Sequence, residues 1–433
     1  MSTFQFVVTG IFVSLIIIGV GTFALFGGAF GGSSGVGAVT IWGTQPQETV
    51  DFVLDSLLTS DKSFEQVRYL EQDQATYESA LLNAMASGRA PELFMLNHDQ
   101  LGGFGDKIVL IPYSVVSQSD FVSSYVDEAQ LFLTPQGSLA LPFSIDPMVM
   151  YWNRDLFASA GVAQAPVFWN DFLTLAPKMY SANSTQTITR TAVALGGWDN
   201  ILHAKEILSI LFMQAGEPIT SRNSAGALVP VFGQAGSGSN TVAESALRFY
   251  TDFSNPSRSN YAWNRALPPS NEAFAGGKLG VYFGFASEYG TIGARNPNLR
   301  FGVALVPQLQ GAGSRLTYGR ITAMAIPRAS ANIQGAAVIA QKLSGGQAAM
   351  LLAQRTALPS VRRDVQPDTS ASAVAEVFTQ SALMSRAWFD PAHRATDNVF
   401  KTMIESVVSG GSSPAEAVGD AMQEFTRLIP LTN

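Results

Sequence analysis

Between Ala38 and Asn97 the chain alternates β-branched apolar runs with amphipathic helical spacing, and this alternation limits the possible folds more than any other feature. "AVTIWG" (Ala38 to Gly43) is a short β-branched run stopped by glycine. "QETVDFVLDSLLTS" then places Val50, Val53, Leu54 and Leu57 on one helical face. "FEQVRYLEQ" alternates as a strand, "ATYESALLNAMASGRAP" is a helix ended by Gly88 and Pro91, and "ELFMLN" is a short buried strand. Strands and helices in this order pack as a mostly parallel sheet covered by helices, and such sheets bind ligands beyond the carboxyl ends of their strands. Trp42 falls at one such end, and Asn97, His98 and Asp99 fall at another.

The second half keeps this style without repeating the sequence. "ILHAKEILSILFMQAG" is an apolar helix ended by Gly216, and "AESALRFYTDF" sets Ala246, Leu247, Phe249, Tyr250 and Phe253 on a broad core-facing stripe. "GKLGVYFGF" and "FGVALVPQ" read as strands, and "SPAEAVGDAMQEFTRLI" as a helix with Ser413 as N-cap and Pro414 at its first position. In "YWNRDLFASAGVAQAPVFWNDF" (Tyr151 to Phe172), Asn153 caps a helix closed by Gly161, and a second helix opens after Pro166 with Asp171 near its positive end. Asn153, Arg154 and Asp155 are therefore assigned to capping. A chain of 433 residues suffices for two or three units, each with a core of its own.

The N-terminus has a different character. "FVVTGIFVSLIIIGVGTFALFGGAF" (Phe6 to Phe30) carries no charged side chain, and the first charged residue of the chain is Glu48. About 20 apolar residues cross the hydrocarbon core of a bilayer. A cleaved signal is shorter and starts with positive charge. Residues 1–30 are thus expected to be an uncleaved transmembrane anchor, with a signal peptide as the alternative, and 31–37 a Gly/Ser tether. A net charge of −7 argues against nucleic acid as a partner. With no cysteine, disulfides, thiolate catalysis and Cys-ligated zinc are excluded.

Motifs for catalysis are wanting. His98, His203 and His393 form no zinc-protease pattern, so neither a metal nor another cofactor is expected. "AGGKLG" lacks the spacing of a phosphate-binding loop, "GQAGSGSN" has the wrong glycine order for a dinucleotide, and no complete hydrolase elbow stands in a folded stretch. A carboxylate pair for glycoside cleavage stays open, because it needs only spatial proximity.

The run "LPFSIDPMVMYWNRDLFASAGVAQAPVFWNDFLTLAPKM" (Leu141 to Met179) resembles extracellular solute-binding proteins of sugar-type ABC importers, the maltose-binding-protein-like family 1. "YAWNRALPPSNEAFAGGKLGVYFG" (Tyr261 to Gly284), "ALPSVRRD" (Ala357 to Asp364) and "MIESVVSGGSSPAEAVGDAMQEF" (Met403 to Phe425) resemble the same family in the same order. Two departures stand out: Phe168 replaces the usual Thr or Ser at a helix start, and the lipid-modified cysteine of many members is absent. The resemblance implies an α/β, two-lobed periplasmic-binding-protein-like clamp of type II, behind the N-terminal transmembrane helix. Lobe 1 would comprise 38–142 and 320–355, and lobe 2 would comprise 143–319 and 356–433. The chain would cross between them at Leu141 to Phe143, at Thr317 to Thr322 and at Arg355 to Pro359.

On that reading the protein is no enzyme but a monomeric receptor in the cell membrane, its folded part outside the cytoplasm, that hands a carbohydrate-like solute to the permease subunits. A peptide, polyol or phosphorylated polyol is the alternative ligand, and a tethered glycosidase the alternative class. Sugar rings ask for flat aromatic faces, and their hydroxyls for carboxylates, amides and guanidinium groups. The candidate ligand-binding residues are therefore Trp42, Trp198, Trp263, Phe283, Tyr318 and Trp388 among aromatics, with Asn97, Asp99, Asp146, Asn200 and Arg320 among polar groups.

Overall fold

The computed structural model describes residues 36–429 apart from 224–226, 235–240, 369 and 371. The expected transmembrane segment 1–30 and residues 31–35 of the expected tether lie outside the described residues. Among the described residues no helix is long and apolar enough to cross a membrane.

The alternation at the start of the chain builds a parallel sheet. Strand Val39–Gly43 lies between Val67–Glu71 and Leu93–Asn97, parallel to both. Helix Gln47–Leu58 turns Val50, Val53, Leu54 and Leu57 onto that sheet side, and all four are buried. Burial of each such side chain contributes about 1.5–3 kcal/mol. Strand Thr317–Ala325 then adds antiparallel to Leu93–Asn97, and Leu141–Asn153 adds antiparallel to Thr317–Ala325. Beyond it follow Leu279–Phe285 and Ile188–Val193, while Phe301–Ala304 also pairs with the far half of Leu141–Asn153.

Two hydrophobic cores lie along this sheet. One gathers residues between Val39 and Ile145 with residues between Ile321 and Val361, and Ala382 joins it. The other gathers residues between Met148 and Tyr318 with residues between Phe378 and Phe425. The long strand Leu141–Asn153 passes from the first to the second between Ile145 and Met148, a few residues beyond the expected crossing. Thr317–Ala325 passes back between Tyr318 and Ile321. In register, Arg320 lies opposite Asp146, so the two crossings sit side by side. Near the third expected crossing, Leu358 packs on the second core and Val361 on the first.

Local capping follows the sequence closely. Asn153 Oδ1 accepts the N–H groups of Asp155 and Leu156 at 3.0 and 3.1 Å. Ser413 and Glu416 form a reciprocal capping box, worth about 1 kcal/mol for the cap alone. The helix start at Phe168, which lacks the usual hydroxyl, is satisfied from inside the helix: Asp171 Oδ2 accepts the N–H groups of Val167 and Phe168 at 3.0 and 2.9 Å.

At the second crossing the backbone has no room for a side chain. A Cβ on Gly319 would lie 2.1 Å from Glu128 Oε2 and 2.7 Å from Ser385 Oγ. Gly319→Ala is therefore expected to lower stability by about 1–3 kcal/mol, the usual cost of overpacking. The shift in urea midpoint, compared with wild type at unchanged slope, measures it.

Candidate functional site

The carboxyl ends of Val39–Gly43 and Leu93–Asn97 open onto a cleft between the two cores. It has two adjoining chambers, of about 240 and 200 Å³, which share Thr44, Gln74, Asn97, Arg320 and Thr322. Asp99 faces the first chamber and Asp146 the second. Helix Tyr77–Ala86 on one side and helix His393–Val408 on the other meet at the first chamber, where Glu78 lies 3.2 Å from Arg394 and 3.7 Å from His393. Nearby, Gly102 approaches the Pro391 backbone so closely that a Cβ would lie 2.2 Å from its carbonyl oxygen.

The polar groups of the cleft are held firmly. Asn97 Oδ1 accepts the Thr322 hydroxyl at 2.9 Å, and the Asn97 N–H donates to Gln100 Oε1 at 3.0 Å. Asp146 Oδ1 accepts the Ser287 N–H at 3.0 Å, while burial raises its carboxyl above the ordinary range. Arg320 spreads its guanidinium over the Phe285 ring, 4.0 Å from the centroid, and reaches Glu206 at 3.6 Å. Asp99 Oδ1 is buried without a protein hydrogen-bond partner. A guanidinium and carboxylates among amides and hydroxyls can bind a neutral polyhydroxyl solute through charge-assisted hydrogen bonds. Among the described residues no group of three or more His, Cys, Asp or Glu side chains could hold a metal ion.

Behind the cleft floor lies a buried titratable cluster. His98 Nδ1 accepts the Ile321 N–H at 3.3 Å, which leaves Nε2 as the protonated nitrogen facing the Tyr318 hydroxyl at 3.1 Å. Burial pulls His98 down to about 4. Glu128 lies 3.7 Å from His98 Nδ1, too far for a hydrogen bond, and both its oxygens are buried without a partner. Burial pushes Glu128 up to about 8, although Arg386 and Arg320 pull the other way.

Of the sequence candidates, Asn97, Asp99, Asp146 and Arg320 are brought together in the cleft. The others lie elsewhere. Trp263 is wholly buried in the second core and donates from Nε1 to Asn200 Oδ1 at 2.9 Å. Asn200 in turn donates to the carbonyls of Asn264 and Leu267, so the pair clamps a loop. Phe283 is packed against Trp169 and Phe172, and Trp388 against Phe400 and Phe425 with Nε1 donating to Ser209. Tyr318 is buried against His98. Trp198 is half-buried against the second core and Trp42 against the first, and neither lines a chamber. Large rings gain most by burying their apolar area, and where the indole N–H also finds a partner, as in Trp263 and Trp388, nothing holds the ring at the cleft. Thr44, Gln74, Thr322, Glu78, His393 and Arg394 line the cleft without having been singled out as ligand groups. For Thr44 the signal was available, since it directly follows a strand end.

Comparison with known proteins gives a consistent picture. The profile of the family described as "Bacterial extracellular solute-binding protein" matches residues 65–345, more than half of the chain. A maltotriose-binding protein from Pyrococcus abyssi is 26% identical over 153 residues, which is 35% of this chain and 32% of that protein. The chain thus spans about a third of the length of this curated relative. Among solved structures, a cyclic α-maltosyl-1,6-maltose binding protein from Arthrobacter globiformis superposes with a TM-score of 0.70 at 17% identity, covering 90% of this chain and 98% of that one. An ABC transporter solute-binding protein from Thermotoga lettingae, bound with α-D-tagatose, gives 0.66 at 19% identity, covering 91% and 100%. At these identities the structural likeness speaks for the fold, a two-lobed α/β solute-binding architecture.

Two outcomes follow from this geometry. Trp263→Phe removes the donor to Asn200 Oδ1 and should cost about 1–3 kcal/mol of stability while leaving ligand affinity unchanged, read by denaturant melts and calorimetry in parallel. The buried acid sets a pH dependence. Folded Glu128 keeps its proton up to about 8 whereas its ordinary value is 4.5, so its contribution to stability falls as pH rises through that interval. His98, at about 4 against an ordinary 6.5, acts in the opposite sense below 6.5. From pH ~6.5 to ~8 the Glu128 effect stands without its counterweight, on the order of 1–2 kcal/mol. Unfolding free energies across this range should decline in the wild type and decline less in Glu128→Gln.

Proposed function

This chain belongs to the family of bacterial extracellular solute-binding proteins, and we propose that it captures a carbohydrate in the cleft between its lobes and delivers it to the transmembrane subunits of an ABC importer. The observation that carries this reading is the convergence of Asn97, Asp99, Asp146 and Arg320 on one cleft at the two strand crossings. Carbohydrate ligands in the names of the relatives support it.

The mechanism is closure about the paired crossings. A solute that touches Asn97 and Asp99 from one lobe and the Ser287 side from the other binds the closed arrangement better than the open one, and shifts the population by that difference in affinity. Glu78 with Arg394 and His393 forms a polar contact across the first chamber, worth at most about 1 kcal/mol at its exposure, enough to bias closure but not to lock it. Closure needs no covalent chemistry, in keeping with a binding protein rather than an enzyme.

We further propose that Phe6 to Phe30 anchors the protein in the cell membrane as a single span with the lobes outside the cytoplasm. The support is the uncharged length of that segment and the extracellular character of the family. Such an anchor would stand in place of the lipid on a cysteine that this chain does not contain.

A thermal-shift screen of the full chain in detergent against mono- and oligosaccharides tests the carbohydrate reading. A ligand at 100 times its dissociation constant should add about 2.7 kcal/mol of stability, and Asp99→Ala should abolish the shift without lowering the ligand-free melting temperature. A shift produced by peptides and by no carbohydrate sinks the reading.

A further inference from the structure

We propose, resting on the carbohydrate reading above, that the cleft takes a single sugar ring or an open-chain polyol in preference to a chain of sugars, and that Arg320 sets this preference by covering the aromatic face beneath it. Size gives the first argument. Even taken together, the two adjoining chambers of about 240 and 200 Å³ lie near the lower end of the ~300–1,000 Å³ range of small-ligand pockets. At the first chamber the two lobes touch through Glu78 and Arg394, 3.2 Å apart, which narrows the cleft on that side.

Chemistry gives the second. Each ring of an oligosaccharide brings a C–H face that wants an aromatic partner in addition to hydroxyls that want polar ones. Beside the small imidazole of His393, the only Phe, Tyr or Trp among the described residues that lines either chamber is Tyr77. That ring is buried, and its hydroxyl is turned inward to the carbonyls of Met95 and Trp42 at 2.8 and 3.1 Å. None of Trp42, Trp152, Trp169, Trp198, Trp263 and Trp388 lines a chamber.

Phe285 supplies the third and most specific argument. It ends the strand Leu279–Phe285 directly under the cleft-lining Arg320 and is only 1% exposed, with the guanidinium 4.0 Å from its centroid on the cleft side and the His203 ring edge-on at 4.8 Å. The stacked guanidinium replaces an apolar platform with a plane of hydrogen-bond donors. Planar donors of this kind pair with hydroxyls in the ring plane and offer nothing to a C–H face. Glu206 at 3.6 Å, Asp146 in register and Phe285 below hold Arg320 in this pose from three sides. Arg320 therefore discriminates between ligand lengths at the floor of the cleft.

Isothermal titration of the full chain in detergent with D-glucose, D-galactose, D-mannose, D-xylose, D-sorbitol and D-mannitol, and with maltose, maltotriose, cellobiose and mannobiose, tests the inference. The tightest monosaccharide or polyol should bind at least about tenfold more strongly than the tightest oligosaccharide. An oligosaccharide that binds more tightly than every monomer overturns the inference while leaving the carbohydrate reading in place; binding by none of these compounds overturns both. Arg320→Ala opens the cleft-facing side of Phe285, and should weaken the monomer at least about tenfold while moving the monomer-to-oligomer ratio toward the oligomer. Arg320→Lys, which keeps the charge but not the plane, should move the ratio in the same direction and serves where the alanine variant melts too low to titrate. A ratio that stays at the wild-type value in the folded variants removes Arg320 as the determinant.

Discussion

The antiparallel ladder between Leu141–Asn153 and Thr317–Ala325 joins two cores that otherwise bury their apolar side chains separately. Each strand begins in one core and ends in the other, so any rotation of one lobe against the other must be absorbed by a few residues of the same ladder. Arg320 and Asp146 occupy those residues, opposite one another. These two cleft-lining side chains therefore stand where the two lobes join, so their surroundings come from both lobes at once. Asn97 is fixed to the same ladder through the Thr322 hydroxyl, and links the cleft floor to the parallel sheet of the first lobe.

The polar centre behind this junction lowers stability. Glu128 lies buried without partners under Gly319, and His98 is held neutral between Tyr318 and the Ile321 N–H. Unpaired buried carboxyls cost several times a surface contact, and they persist where a working arrangement requires them. Here they border the two residues at which the second strand changes lobe. The junction is thus tight because of a missing side chain and polar because of two buried ones.

Much of this was legible in the sequence where one local rule decides. The helical period of Val50, Val53, Leu54 and Leu57 foretells Gln47–Leu58, and the spacing of Ser413, Pro414 and Glu416 foretells the start of Pro414–Leu428. The rule that ligands lie beyond strand ends leads to Asn97 and Asp99, both in the cleft. The aromatics resisted such rules. Trp263 sits in a loop-like sequence, yet its partner Asn200 is 63 positions away, and only that pairing tells core from platform. Gln74, Thr322 and Arg394 reach the cleft through strand order and lobe contact, which no local pattern encodes. The resemblance implied crossings near Leu141, Thr317 and Arg355, whereas which residues fall in which core depends on side chains that no local pattern fixes.

The same placement of indoles has a spectroscopic consequence. The chain has six tryptophans, and all of them stand clear of both chambers. A solute held in those chambers would meet amides, carboxylates and a guanidinium and touch no indole. Intrinsic emission then reports on the integrity of the two cores and is nearly silent to occupancy. An indole introduced at Thr44, on the shared wall of the chambers, would turn the cleft itself into the chromophore's environment.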